Sequence, residues 1–119
     1  MAYVDGFIVP VPKSKLAAYK KLAQRASKIW REYGALEYVE CVGDDTPYGK
    51  RTSFPRSVKL KDDETVIFAW IVYKSRKDRD RINKAVMSDP RLQDMTDLKA
   101  LPFDAKRMIV GGFEQMVSA

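Results

Sequence analysis

The feature that most limits the fold is an eight-residue apolar run, Val66–Tyr73, set between Thr65 and Lys74. It falls well short of the roughly 20 residues that a membrane-spanning helix needs. Its β-branched and aromatic content reads as a strand. A half-exposed antiparallel strand alternates apolar with polar residues, and this one does not. Val66, Phe68, Trp70 and Val72 fall on one side, and Ile67, Ala69, Ile71 and Tyr73 on the other. The first strand repeats the pattern with Tyr3, Phe7 and Val9 against Val4 and Ile8. The last does so with Met108 and Val110 against Ile109 and Phe113. A sheet of such strands needs cover on both faces.

The remaining elements follow from periodicity and punctuation. Tyr3 to Val11 reads as a strand ended by Pro10-Val11-Pro12, since proline cannot continue a central strand. Leu16, Tyr19, Ala23, Ala26, Trp30 and Tyr33 recur at helical spacing, with Ser14 as the expected N-cap and Gly34 as the stop. Ala35 to Val42 is a second strand, and Gly43 to Asp62 a long polar connection holding Pro47, Gly49 and Pro55. After the third strand, Glu64 to Tyr73, a second helix runs from Ser75 to Met87, ended by Asp89-Pro90. A helical turn over Arg91 to Met95 and a strand from Lys106 to Val117 complete the chain. The order βαββαβ predicts an α+β, ferredoxin-like fold, with a four-stranded antiparallel sheet and both helices on one face. At 119 residues, 1–119 is one domain. Two helices cover one sheet face only. A second copy packed on the other gives a homodimer, and the alternative is that the 43–62 loop folds over it.

Composition narrows the chemistry. There is no histidine, which excludes Ser-His-Asp and Cys-His nucleophile systems. One cysteine, Cys41, allows no internal disulfide, and no zinc site is expected. A carboxylate site for Mg or Ca stays allowed, though no metal and no cofactor are expected, and any general base must be Asp, Glu, Lys, Tyr or Cys41. Cys41, between valines 39 and 42, reads as an inert buried thiol. The N-terminus lacks an early Lys or Arg, and Asp5, Pro10 and Pro12 interrupt its apolar stretch, so a cytoplasmic location without membrane contact is expected. The net charge of +6 suits anionic partners but speaks more to encounter than to fold.

Several runs resemble the YbaA-like family of small bacterial proteins, a family of unknown function. They are 3–7 (Tyr-Val-Asp-Gly-Phe), Glu40-Cys41-Val42 with Asp44-Asp45, and Thr52-Ser53-Phe54-Pro55-Arg56. With them go 64–76, Asp89-Pro90-Arg91, and Pro102-Phe103-Asp104 with Lys106-Arg107-Met108. The resemblance covers essentially the whole chain. It implies a dimeric α+β barrel built from two ferredoxin-like sheets, and it supplies no activity. Related barrels include cofactor-free monooxygenases, yet a shared fold does not carry function.

The polar residues inside apolar strands are the first chemical candidates. Asp5 and Glu40 are the candidate bases, with Arg56 and Arg107 as partners or as holders of an anionic group. The opposing reading is a set of structural ion pairs. Ser53, Phe54 and Arg56 lie on a Pro-fixed loop suited to lidding a pocket, or to plugging a barrel end with Phe54. Phe68 and Trp70 share one strand face and would pack on a flat, apolar ligand if that face lined a pocket. Trp30 and Tyr33 read as core, and the charge run 74–81 as a solvated helix face.

Two motifs fail. Five residues, not four, separate Gly43 from Gly49, and Arg51 follows Lys50, so no phosphate loop forms. Phe68 to Tyr73 matches the second half of an RNA-binding strand motif, but Val66 and Ile67 replace its cation and glycine. Nucleic acid is therefore the disfavoured partner. The leading expectation is a homodimer that binds or converts a small molecule, any conversion being cofactor-free and of oxygenase, isomerase or lyase type. The alternatives are single-stranded RNA binding through an open aromatic sheet face, and a structural or regulatory dimer without ligand.

Overall fold

The computed structural model describes the backbone of residues 1–119 and every side chain except that of Thr96. Four strands, β1 (Tyr3–Pro12), β2 (Glu37–Val42), β3 (Glu64–Tyr73) and β4 (Ile109–Glu114), form one antiparallel sheet in the order β2-β3-β1-β4. The two long helices, α1 (Leu16–Tyr33) and α3 (Arg76–Met87), join β1 to β2 and β3 to β4. A short helix, α2 (Phe54–Ser57), lies inside the long β2–β3 connection. This is the expected ferredoxin-like topology.

The prolines sit inside β1, which is a central strand, and the reason is local. The β1–β4 ladder ends at Ile8 opposite Ile109, while β1 stays paired to β3 through Pro12 opposite Glu64. Past Ile8 one side of β1 is an edge, where a proline nitrogen needs no acceptor. Ser14 does not cap α1. It lies in a 3-10 turn, Lys13–Lys15, that leads into the helix, and α1 has no side-chain cap. Gly34 ends α1 at φ 118°, a conformation that side chains resist. Ser75 caps α3, its hydroxyl accepting from the Asp78 amide at 3.1 Å.

Register assigns the faces. Asp5, Phe7, Val9 and Val11 share one face with Tyr38 and Glu40, with Ile67, Ala69, Ile71 and Tyr73, and with Val110 and Gly112. The helices pack here. Ala26, Ile29 and Trp30 of α1 and Ile82 and Val86 of α3 bury themselves against Ile71 and Tyr73. Tyr19 packs with Val9, Val11, Ile67 and Ala69. Fully buried Tyr73, Ile82 and Val86 each contribute roughly 1.5–3 kcal/mol by leaving water.

The other face carries Val4 and Ile8, Val39 and Cys41, Phe68, Trp70 and Val72, and Ile109 and Phe113. Neither long helix covers it, and Phe113 is 63% exposed. The long connection covers one end, where Val66 is buried and Phe54 of α2 meets Phe68 edge-on at 5.7 Å. Cys41 is exposed rather than buried, because edge strand β2 presents it on this uncovered side.

Candidate functional site

Small residues leave a gap between the helices and part of the sheet. Ala23 and Ala26 of α1, Ala69 of β3 and Gly112 of β4 line a cavity of about 570 Å³ between the two layers. That volume lies within the range of small-molecule sites. Phe7, Val9, Ile71 and Val110 form its floor on the sheet. Met87 of α3, with Met95, Phe103 and Met108 from the segment between α3 and β4, supplies further apolar wall.

Glu40 forms one polar pole. Tyr38 Oη donates to its Oε2 at 2.7 Å, and Tyr19 Oη donates to its Oε1. Both of its oxygens are engaged as acceptors. Two further rings stand beside these phenols. Trp30 lies 6.0 Å from Tyr38, and Phe103 meets Tyr19 edge-on at 5.7 Å. Burial, followed by the Glu40 charge, pushes both phenols well above the usual tyrosine range. They stay neutral donors at physiological pH.

Asp5, 4% exposed, forms the other pole. Arg79 Nε stands 3.1 Å from its Oδ1, and Asn83 Nδ2 donates to its Oδ2 at 3.3 Å. Asn83 Oδ1 accepts from Trp30 Nε1 and from Tyr73 Oη, each at 3.1 Å. Arg79 also pairs with Asp80 at 2.9 Å and stacks on the Tyr3 ring at 4.9 Å. Burial pulls the guanidinium down, but the neighbouring charges, Asp5 first, outweigh it and hold Arg79 above its ordinary value. Gly112 makes room for this group. A Cβ there would stand 2.2 Å from Arg79 Nη2 and 2.4 Å from Tyr3 Oη. Asp5 faces Ile71 across one ladder, and Glu40 faces Ala69 across the next. Sheet spacings then put the two poles roughly 12 Å apart, too far to share a proton.

Of the residues expected from sequence, Asp5 and Glu40 meet in this cavity. Their partners are not Arg56 and Arg107 but Arg79 for Asp5 and two tyrosines for Glu40. Arg56 instead donates to the carbonyls of Tyr48 at 3.0 Å and Gly49 at 2.8 Å, and lies over the Tyr48 ring. Ser53 accepts from the Arg56 amide at 3.0 Å and caps α2. Phe54 packs on Phe68. Trp70 lies on the helix-free face and donates to Glu37 at 3.1 Å. Arg107 pairs with Glu64 at 2.5 Å and with Asp104 at 2.8 Å. None of these five lines the cavity.

Sequence reasoning missed Tyr19, Tyr38, Arg79 and Asn83 as site residues. Tyr38 and Glu40 are two apart in a strand, hence on one side. Arg79 and Asn83 are four apart on a helix, hence on one face. The charges around Arg79 concealed it in what read as a solvated run. Among the described residues no three Cys, Asp or Glu side chains come close enough to hold a metal ion together.

Fold and cavity define a ferredoxin-like protein with a pocket between helices and sheet. The chain belongs to the family described as a protein of unknown function, DUF1428, whose model matches residues 2–105. It is 47% identical over 117 residues to the uncharacterized protein YbaA of Escherichia coli strain K12, covering 98% of each chain. Among solved structures it is similar in fold to a NIPSNAP family protein from Agrobacterium tumefaciens. That match has TM-score 0.62 and 16% identity, over 98% of this chain and 94% of that one. SnoaB, a cofactor-independent oxygenase from Streptomyces nogalater, matches at TM-score 0.60 and 16% identity, over 98% and 95%. A dimeric ferredoxin-like protein from an uncultured marine organism matches at 0.54 and 10%, over 95% and 92%. No helix of the described residues is long and apolar enough to cross a membrane.

Proposed function

We propose that this protein binds a small, flat, largely apolar molecule in the helix–sheet cavity, with Glu40 as the group that would take a proton from it. The observation carrying this is the cavity itself, about 570 Å³, apolar-walled and holding a carboxylate whose two contacts are neutral phenols. Asp5 is the weaker candidate base, because Arg79 already neutralises it. A ligand hydroxyl resting on Tyr19 or Tyr38 would join a hydrogen-bonded path to Glu40 and could lose its proton without a cofactor. The fold shared with a cofactor-independent oxygenase is compatible with that chemistry and does not assign it. The neutral dye Nile red tests the pocket by fluorescence titration. Saturable one-to-one uptake that Ala23→Phe abolishes, at an unchanged fold by circular dichroism, supports it. Uptake unaffected by that substitution places the dye elsewhere and removes the reading.

The same proposal includes a homodimer in the cytoplasm. The helix-free face is apolar, its strand residues include Glu37 and no Lys or Arg, and a dimeric protein shares the fold. Single-stranded nucleic acid would need cations beside the aromatics. Tyr3 lies on the opposite face under Arg79 and adds no ring to this one. The exposed Cys41 thiol suits a reducing compartment.

A further inference from the structure

We infer that the ligand of this cavity is an organic cation, a protonated amine carried on a flat apolar body; this rests on the cavity reading above, with Glu40 serving as counter-charge in place of base. The argument begins with charge. Two carboxylates and one guanidinium line the cavity, which leaves it one negative charge in excess. Arg79 already faces two carboxylates, Asp5 at 3.1 Å and Asp80 at 2.9 Å. Among the described residues, no Lys or Arg forms an ion pair with Glu40. A carboxylate in an apolar pocket is costly without a counter-charge, and two phenolic hydrogen bonds answer only part of that cost.

The walls favour the same answer. Tyr38 with Trp30, and Tyr19 with Phe103, place two aromatic pairs beside the carboxylate. Aromatic rings around a site attract organic cations through the negative potential of their faces. Each Glu40 oxygen accepts one phenol and keeps a second lone pair for an ammonium N–H. A carboxylate-bearing ligand would instead meet the like charge of Glu40 at short range.

A matched series isolates the charge: 2-naphthylmethylammonium, 2-naphthylmethanol and 2-naphthoate, each titrated calorimetrically at pH 7 into the wild-type protein and Glu40→Gln. The ammonium is expected to bind about tenfold more tightly than the alcohol, and the naphthoate most weakly. In Glu40→Gln the preference for the ammonium over the alcohol should collapse. Should that variant unfold, Tyr19→Phe keeps the carboxylate and must keep the preference. Equal or tighter binding of the naphthoate to wild type, or a preference that survives in folded Glu40→Gln, overturns the inference. If the alcohol binds and the ammonium has no advantage, the charge assignment falls alone. If no member binds, the cavity reading falls and this inference with it.

Discussion

Arg107 shows how one side chain can be structural where sequence allows a ligand role. Its guanidinium donates to Glu64, to Asp104 and to the carbonyls of Val58 and Lys59, so it ties the start of β3 to the approach to β4. Arg107→Ala leaves the buried Glu64 carboxylate without its cation. We expect a loss of about 3 kcal/mol in urea unfolding. The same contacts set the acid limit. Hydrogen bonds from Arg107 hold Glu64 and Asp104 below the usual carboxylate range, and those from Arg91 and Tyr33 hold Asp89 far below it. The unfolded chain therefore takes up protons first as pH falls, so stability drops through this window. Melting temperature should be level from neutrality to about pH 5 and decline below about pH 4. At the alkaline end the sign reverses. Tyr19, Tyr38 and Tyr73 are raised, burial first, so unfolding releases protons and stability falls above about pH 10. A melting temperature that rises on acidification through pH 4 would contradict the carboxylate assignment.

Helix α3 carries two roles on one element. Ile82 and Val86 bury it, Arg79 and Asn83 enter the site, and the Arg81–Asp78 pair stays outside. Its start depends on Ser75, whose hydroxyl takes up an amide that the helix leaves unpaired. Ser75→Ala should cost about 1 kcal/mol, and Ser14→Ala, in the uncapped approach to α1, close to nothing. Urea melts of the two variants compare them directly, and equal losses would mean that Ser14 does cap α1. The elements themselves were legible because their signals are local. The helical spacing from Leu16 to Tyr33, Gly34 as its stop and the run ending at Tyr73 all appear in the structure. The sequence pattern extends the last strand over 106–117, but it spans Ile109–Glu114, because its pairing with β1 ends at Ile8 opposite Ile109 and Tyr3 opposite Glu114. A strand's length is set by its neighbour as much as by its own residues.

The whole molecule leaves one sheet face to be satisfied. Ile109, Phe68 and Phe113 are 40%, 45% and 63% exposed on it, beside Trp70 and Val39. Light scattering after size exclusion should give about twice the chain mass of 13.6 kDa for the wild type. Phe113→Asp, at a surface position, should return the protein to one chain mass while its circular dichroism persists. A wild-type monomer would remove the paired-sheet proposal. It would also leave the aromatic face to another partner.

Sequence alone determined what depends on neighbours along the chain: element order, hence topology, the absence of histidine chemistry, and two apolar faces on every long strand. It also singled out Asp5 and Glu40, because a charge inside an apolar strand is conspicuous wherever the strand goes. Only the tertiary structure decided which face the helices take, and therefore that Trp70 and Phe68 lie outside the cavity. It alone paired Asp5 with Arg79 over 74 positions and Glu40 with Tyr19 over 21. The physical reason is that both strand faces are nearly equal in hydrophobicity. Periodicity then cannot rank them, and helix packing against small residues such as Ala26 and Ala69 makes the choice.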